Sequence, residues 1–282
     1  MTQRYPERER APMFSQPWLI RKAGAARRLR LYCFCYAGGN AISYLPWQEQ
    51  LGPDIEVCAI QLPGRGTRMR EAPYHAMPPL IAEIMQVVLH ENKLPFAFFG
   101  HSLGGLMAYE LTRQLAKNRL PLPQHLFVSG TDAPQYRSPS KNLHLLPDDE
   151  LIQSLRNYNG TPAEILDNRD LMDFLLPTIR ADFALAETYQ YQAGPPLTVP
   201  ITVLAGQYDD HVSMQEVQGW REETVGECDI RWFNGDHFFI NSEQRAVLDC
   251  ILGKLRPQFC HQSDHAAIGE RKPDIVFANG GS

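Results

Sequence analysis

Six short apolar runs recur along the chain with helix-period segments between them, and that alternation excludes all-helical and all-strand architectures. The runs are "LRLYCFCY" (29–36), "IEVCAIQL" (55–62), "FAFFGHS" (96–102), "HLFVSG" (125–130), "ITVLAG" (201–206) and "DIRWFNG" (229–235). Near-continuous apolarity marks strands covered on both faces. The covering layers come from "PLIAEIMQVVLHE" (79–91), "LMAYELTRQLAKN" (106–118) and "SEQRAVLDCILGKL" (242–255), whose apolar residues fall at three- and four-residue spacing. The expected fold class is α/β: a mostly parallel central sheet with helices on both faces. No Gly/Ser- or Pro-rich linker divides residues 29–256, which read as one domain.

One segment breaks the rhythm. Between Asp132 and Leu197 no strand pattern appears, and residues 133–197 are expected to form a helical insertion acting as a lid. "TPAEILD" reads as a capping box with Thr161 at N-cap, Pro162 at N1 and Glu164 at N3. Pro177 should kink or split the helix that follows. Leu171, Met172, Phe174, Leu175, Phe183 and Leu185 suit an apolar chamber, and equally a helix packed on a sheet.

Charge is uneven. Residues 1–30 carry eight Arg and Lys against Glu7 and Glu9, a balance of +6, whereas the whole chain carries −5, leaving −11 for the rest. Residues 1–28 read as a basic arm able to meet an acidic partner, and 257–282, without period, as a loose tail. Nucleic-acid binding is not expected of an arm facing so acidic a body. No apolar run approaches the ~18 residues of a membrane span, and no secretory h-region opens the chain, so a cytoplasmic protein is expected; no coiled-coil heptad appears, so a monomer is expected. The six cysteines form no CxxC pair and no zinc-ligand spacing with histidine, and read as buried free thiols. Neither metal nor redox cofactor is expected.

The chemistry concentrates at Gly100-His101-Ser102-Leu103-Gly104, a G-x-S-x-G with a strand before it and a helix after it. Residues without side chains permit a turn tight enough to lift a serine hydroxyl clear of the sheet, beside the first amides of the helix. Those amides and the helix dipole can stabilise an oxyanion. Such a serine needs a base and the base an orienting acid, in the order Ser, Asp or Glu, His. His237, after the Gly235-Asp236 turn, is the expected base. Asp209, on the loop leaving "ITVLAG", is the expected acid, with Asp210 and Asp132 as alternatives. The second oxyanion donor is expected from the "CYAGGNAIS" turn: Ala37, alongside Leu103. His101 should point away from the serine, while His75, His90, His125, His144, His211, His261 and His265 read as surface residues.

Seven segments, "FCYAGGNAISY", "IQLPGRGTRMRE", "GHSLGG", "IRADFALAETYQY", "PITVLAGQYDDHVS", "GWREET" and "NGDHFFI", follow one another over Leu29 to Leu255. In content and order they resemble the type II thioesterases of nonribosomal peptide and polyketide synthases and the related medium-chain fatty acyl thioesterases, of the α/β-hydrolase superfamily. The chain departs from the family at Cys35-Tyr36, where Pro-His or Pro-Tyr is usual, and at Gly66, where an acidic residue is common. The resemblance implies a serine thioesterase that frees acyl, aminoacyl or peptidyl groups from the phosphopantetheine arm of a carrier protein, clearing misprimed or stalled synthases. An oxygen-ester carboxylesterase or lipase would use the same serine and histidine but lacks the "PGRG" and "RADFALAETYQY" segments. A docking protein without catalysis would have no need of Ser102, Asp209 and His237 together.

Overall fold

All six apolar runs become strands of a single sheet, joined by a short seventh that precedes them. The computed structural model describes residues 18–22, 27–91, 93–136 and 142–266, with side chains through residue 256. The strands are β1 (Leu19–Ile20), β2 (Leu29–Phe34), β3 (Ile55–Ile60), β4 (Phe96–His101), β5 (Leu126–Ser129), β6 (Ile201–Gly206) and β7 (Cys228–Phe233). Their order is β1-β3-β2-β4-β5-β6-β7; β1 runs antiparallel to β3 and every other pairing is parallel. The helices are α1 (Trp47–Leu51), α2 (Met77–Glu91), α3 (Leu103–Lys117), α4 (Asp148–Tyr158), α5 (Ala163–Leu166), α6 (Arg169–Glu187), α7 (Met214–Gln218), α8 (Phe239–Ser242) and α9 (Gln244–Ala266).

Side chains alternate across the pleat, so each strand feeds two cores. Tyr32, Phe34, Phe96 and Phe98 pack with α2 and α3 on one face, while Leu31, Cys33, Ala97 and Phe99 pack with α1 and α9 on the other. Burying a side chain such as Phe98 or Phe99 contributes roughly 2–3 kcal/mol, which explains why the central strands tolerate almost no polar residue.

Between β5 and β6 lies the insertion, with α4, α5 and α6 around their own apolar cluster of Leu151, Leu155, Leu166, Met172, Leu176, Ile179 and Phe183. Helix α6 runs on through Pro177 and is not split. The Thr161 capping box does not form: Pro162, at ψ 143°, is itself the N-cap and α5 starts at Ala163. The six proposed chamber residues divide. Met172 and Phe183 lie in the insertion cluster and Leu185 in the sheet core, whereas Phe174 is 54% exposed.

The basic arm also needs correction. Its Leu19–Ile20 strand pairs with β3, Arg21 meets Glu91 at 3.0 Å, Lys22 meets Glu49 at 3.0 Å, and Arg28 meets Asp54 at 3.4 Å. Arg30 pairs with Glu56 at 2.6 Å. Arg4, Arg8 and Arg10 lie outside the described residues. At the other end α9 continues past Pro257 to Ala266, so the expected loose tail begins as helix. Cys33, Cys35 and Cys58 are buried free thiols, Cys228 and Cys250 are half-buried, and the side chain of Cys260 falls outside the described residues.

Candidate active site

At the end of β4, Ser102 takes φ 54°, ψ −118°, a conformation that costs a non-glycine residue of the order of 1–3 kcal/mol. Close packing on both sides enforces it. A Cβ on Gly100 would stand 2.0 Å from the Gly104 carbonyl oxygen, and one on Gly104 2.1 Å from the Phe34 carbonyl oxygen. Both positions therefore require glycine for contact rather than for flexibility. The Ser102 amide donates to the Ser129 carbonyl at 2.7 Å, and the Ser102 carbonyl accepts from Gly105 N–H at 3.0 Å, so the turn is pinned from β5 and from α3. The serine itself is half-buried.

His101 is fully buried, with Nδ1 2.9 Å from Ser129 Oγ. Burial, and then the neighbouring His237, hold its pKa well below the usual imidazole range, so it stays neutral. His125 corrects the surface reading: it is 3% exposed, with Nε2 2.8 Å from Thr202 Oγ1 and its ring stacked on Phe127.

The loops after β6 and β7 meet beside this turn. His237 Nδ1 lies 2.8 Å from Asp209 Oδ2, with both side chains at most 5% exposed. The other carboxylate oxygen, Oδ1, accepts the His211 amide at 2.9 Å, which fixes the acid's plane. An ionised carboxylate can only accept, so the imidazole proton sits on Nδ1 and Nε2 is left as the basic nitrogen. Of the other two candidate acids, Asp132 accepts the Ser213 amide on Oδ1 and Asp210 is exposed. The ring of His101, next to Ser102 in the chain, lies 5.1 Å from that of His237. No hydrogen bond joins Ser102 to His237 in this arrangement; nucleophile–base contacts of this kind often tighten only around substrate.

After β2 the chain makes a tight turn, with Gly39 N–H donating to the Tyr36 carbonyl at 2.9 Å. Gly38, at φ 73°, supplies the positive angle a type II turn needs at its third residue. Ala37 holds the second position, whose amide such a turn leaves unused. Among the described residues neither the Ala37 nor the Leu103 N–H meets an acceptor. The Tyr36 ring packs edge-on against Phe238 at 4.9 Å and against His101 at 5.9 Å, tying this turn to the His237 loop. Among the described residues no group of His, Cys, Asp and Glu could hold a metal, and no helix is long and apolar enough to cross a membrane.

Residues 29–255 match the thioesterase domain family. The chain belongs to that family. This thioesterase is 38% identical over 240 residues to the gramicidin S biosynthesis protein GrsT of Aneurinibacillus migulanus, a match covering 85% of this chain and 94% of that protein. It is similar to the type II thioesterase BorB from the borrelidin biosynthetic cluster, with 34% identity, a TM-score of 0.79, and coverage of 86% and 100% of the two chains. RedJ, a thioesterase of the prodiginine pathway in Streptomyces coelicolor, is 35% identical with a TM-score of 0.77, covering 89% and 92%. The expected α/β-hydrolase fold is the one these structures share with this thioesterase, and thioester hydrolysis in secondary-metabolite biosynthesis is the activity of the group it joins.

The insertion adds side chains that sequence reasoning missed. Tyr158, at the end of α4, stacks on His211 at 3.8 Å and 7° and meets His237 edge-on at 5.6 Å. Asn159 Nδ2 donates to Asp236 Oδ2 at 2.9 Å, next to His237 in the chain. Nothing in "RNYNG" distinguishes these residues from any helix end, since their partners lie in a different loop.

Proposed function

We propose that this thioesterase frees acyl, aminoacyl or peptidyl groups from the phosphopantetheine arm of a carrier protein, with Ser102 as nucleophile, His237 as base and Asp209 as its orienting acid. The observation that carries the reading is a serine held at a positive-φ turn beside a buried His237–Asp209 pair, with two unpaired amides at the same sheet edge. Ser102 Oγ attacks the thioester carbonyl carbon as its proton passes to His237 Nε2. The carbonyl oxygen becomes an oxyanion, and the amides of Leu103 and Ala37 donate to it. Collapse breaks the carbon–sulfur bond, and the imidazolium returns the proton to the departing thiolate. Water then attacks the acyl-serine with His237 again as base, releasing the acid and restoring the hydroxyl. Asp209 steadies the imidazolium in both halves. The insertion acts as the lid, with Tyr158 roofing the histidines, and its role in trans is to clear groups that a synthase cannot extend.

Hydrolysis of carrier-bound and free pantetheine acyl thioesters, with a nitrophenyl ester as counter-substrate, tests this in wild type and Ser102→Ala. Carrier-bound thioesters should turn over fastest and the variant should lose turnover. Cleavage of the oxygen ester alone would replace the reading with a carboxylesterase one.

A further inference from the structure

The segments "PGRG" and "RADFA" contribute nothing to the nucleophile, base or acid, yet they meet in a buried ion pair behind the oxyanion turn. Arg65 Nη1 and Nη2 fork onto Asp182 Oδ2 and Oδ1 at 2.7 and 2.6 Å, and the two side chains are 8% and 1% exposed. The same Oδ2 accepts the Gly38 amide at 2.7 Å, and Arg65 Nη1 also donates to the Gly39 carbonyl at 3.1 Å. Gly38 and Gly39 are the two residues after Ala37. Two neighbours on α6 reinforce the contact: Thr178 Oγ1 donates to the Gly64 carbonyl at 2.8 Å, and Ile179 Cγ1 lies 3.2 Å from where a Cβ on Gly38 would stand.

We propose that Arg65 and Asp182 are positioning residues for the oxyanion turn: the carboxylate, held in plane by the guanidinium fork, anchors the Gly38 amide and so aims the adjacent Ala37 N–H. The inference rests on the reading of Ala37 as an oxyanion donor. It makes α6 a working part of the catalytic apparatus as well as a cover. A turn with an unused amide is free to rock about its ends, and a rigid acceptor next to that amide removes the freedom before substrate arrives. Bidentate pairing suits this task because it fixes the carboxylate's orientation as well as its position.

Single substitutions would leave a charge buried without a partner, so the test compares two charge-free double variants of the full chain. Arg65→Met/Asp182→Asn keeps an oxygen able to accept from Gly38; Arg65→Met/Asp182→Leu does not. Three readouts are taken: thermal unfolding, kcat and KM on an acyl thioester, and the rate at which a fluorophosphonate labels Ser102, a reaction that also passes through an oxyanion. The leucine double should lower kcat and labelling about 10- to 100-fold with KM within about 3-fold. The asparagine double, which keeps an acceptor for Gly38 but loses the fork that orients it, should fall between wild type and the leucine double in both rates. Should the leucine double not fold, Arg65→Met/Asp182→Ala takes its place. Wild-type rates in the folded leucine or alanine double, or equal losses in both members of the pair, would overturn the proposal. A wild type that is labelled at Ser102 without cleaving thioesters would sink the thioesterase reading and leave the labelling rates to judge the clamp; no labelling at all would sink both.

Discussion

Replacing Gly104 by alanine should damage catalysis and stability together, and the structure says by how much. A Cβ there would stand 2.1 Å from the Phe34 carbonyl oxygen, 2.6 Å from its carbon and 2.9 Å from the Cys35 carbonyl oxygen. All three are backbone atoms, so no rotamer change relieves the clash. Since real Cβ contacts essentially never fall below 3.0 Å, the end of β2 and the start of α3 must part by roughly 1 Å. Leu103 immediately precedes Gly104 and the Tyr36–Gly39 turn continues β2, so the separation falls on the distance between the two unpaired amides. Overpacking of this kind costs about 1–3 kcal/mol, and an error of about 1 Å in a reacting geometry costs about 100-fold. Gly253 is the control: it lies exposed in α9 with nothing within 4 Å of its would-be Cβ, so alanine there should add about 1 kcal/mol from helix propensity. Urea denaturation should move the midpoints in opposite directions, and steady-state kinetics on an acyl thioester should show a kcat loss only for Gly104→Ala. A Gly104→Ala protein as stable as wild type, with kcat within about 3-fold, would refute the reasoning.

Asp209→Asn presents an amide to His237 and favours the wrong tautomer, so kcat should fall about 10⁴-fold with the fold intact; a loss under tenfold in steady-state kinetics would remove Asp209 from the mechanism. Burial, and then the Lys254 charge, push the His125 pKa down to about 4, so between there and the unfolded value near 6.5 the unfolded chain binds the extra proton. Its stability contribution is therefore complete above about pH 6.5 and is lost as pH falls toward 4, about 3 kcal/mol in all; denaturation at pH 7 and pH 4.5 should show a smaller drop for His125→Gln than for wild type. Hydrogen exchange should find α4 and α5 opening more readily than α6, because the buried residues of the first two lie only in the insertion cluster while α6 is also tied to Arg65 and Gly64; equal protection across the three helices would contradict this.

The strands were legible because a parallel strand covered on both faces has no room for polar residues, and runs such as "ITVLAG" record that directly. Ser102 was legible for a related reason: the close approaches at Gly100 and Gly104 exclude every side chain, so the geometry writes itself as glycine. His237 and Asp209 could be found because each follows a strand closely. What stayed hidden depends on contacts between distant segments. His125 stands at a strand's entrance and reads as surface, yet Thr202 and Phe127 enclose it. The arm's excess of positive charge looked available to a partner because Glu49, Asp54, Glu56 and Glu91, which pair with Lys22, Arg28, Arg30 and Arg21, are scattered through a region counted separately.

The insertion shows the same limit with more consequence. Helical periodicity in 169–187 marks an amphipathic helix, and a cover and a packing element both satisfy that pattern. Asp182 sits on the buried side of α6, where a carboxylate without a partner would be costly, and in a sequence that is an anomaly with no indicated resolution. Arg65 resolves it from across 117 positions. Because the same carboxylate also accepts the Gly38 amide, the helix cannot shift without moving the Tyr36–Gly39 turn. An α4 that swung outward would have to part from the His237 loop, through the Tyr158 ring contact and the Asn159–Asp236 hydrogen bond, and also from α6, through Arg180–Asp148 at 2.5 Å and Arg169–Asp149 at 2.6 Å.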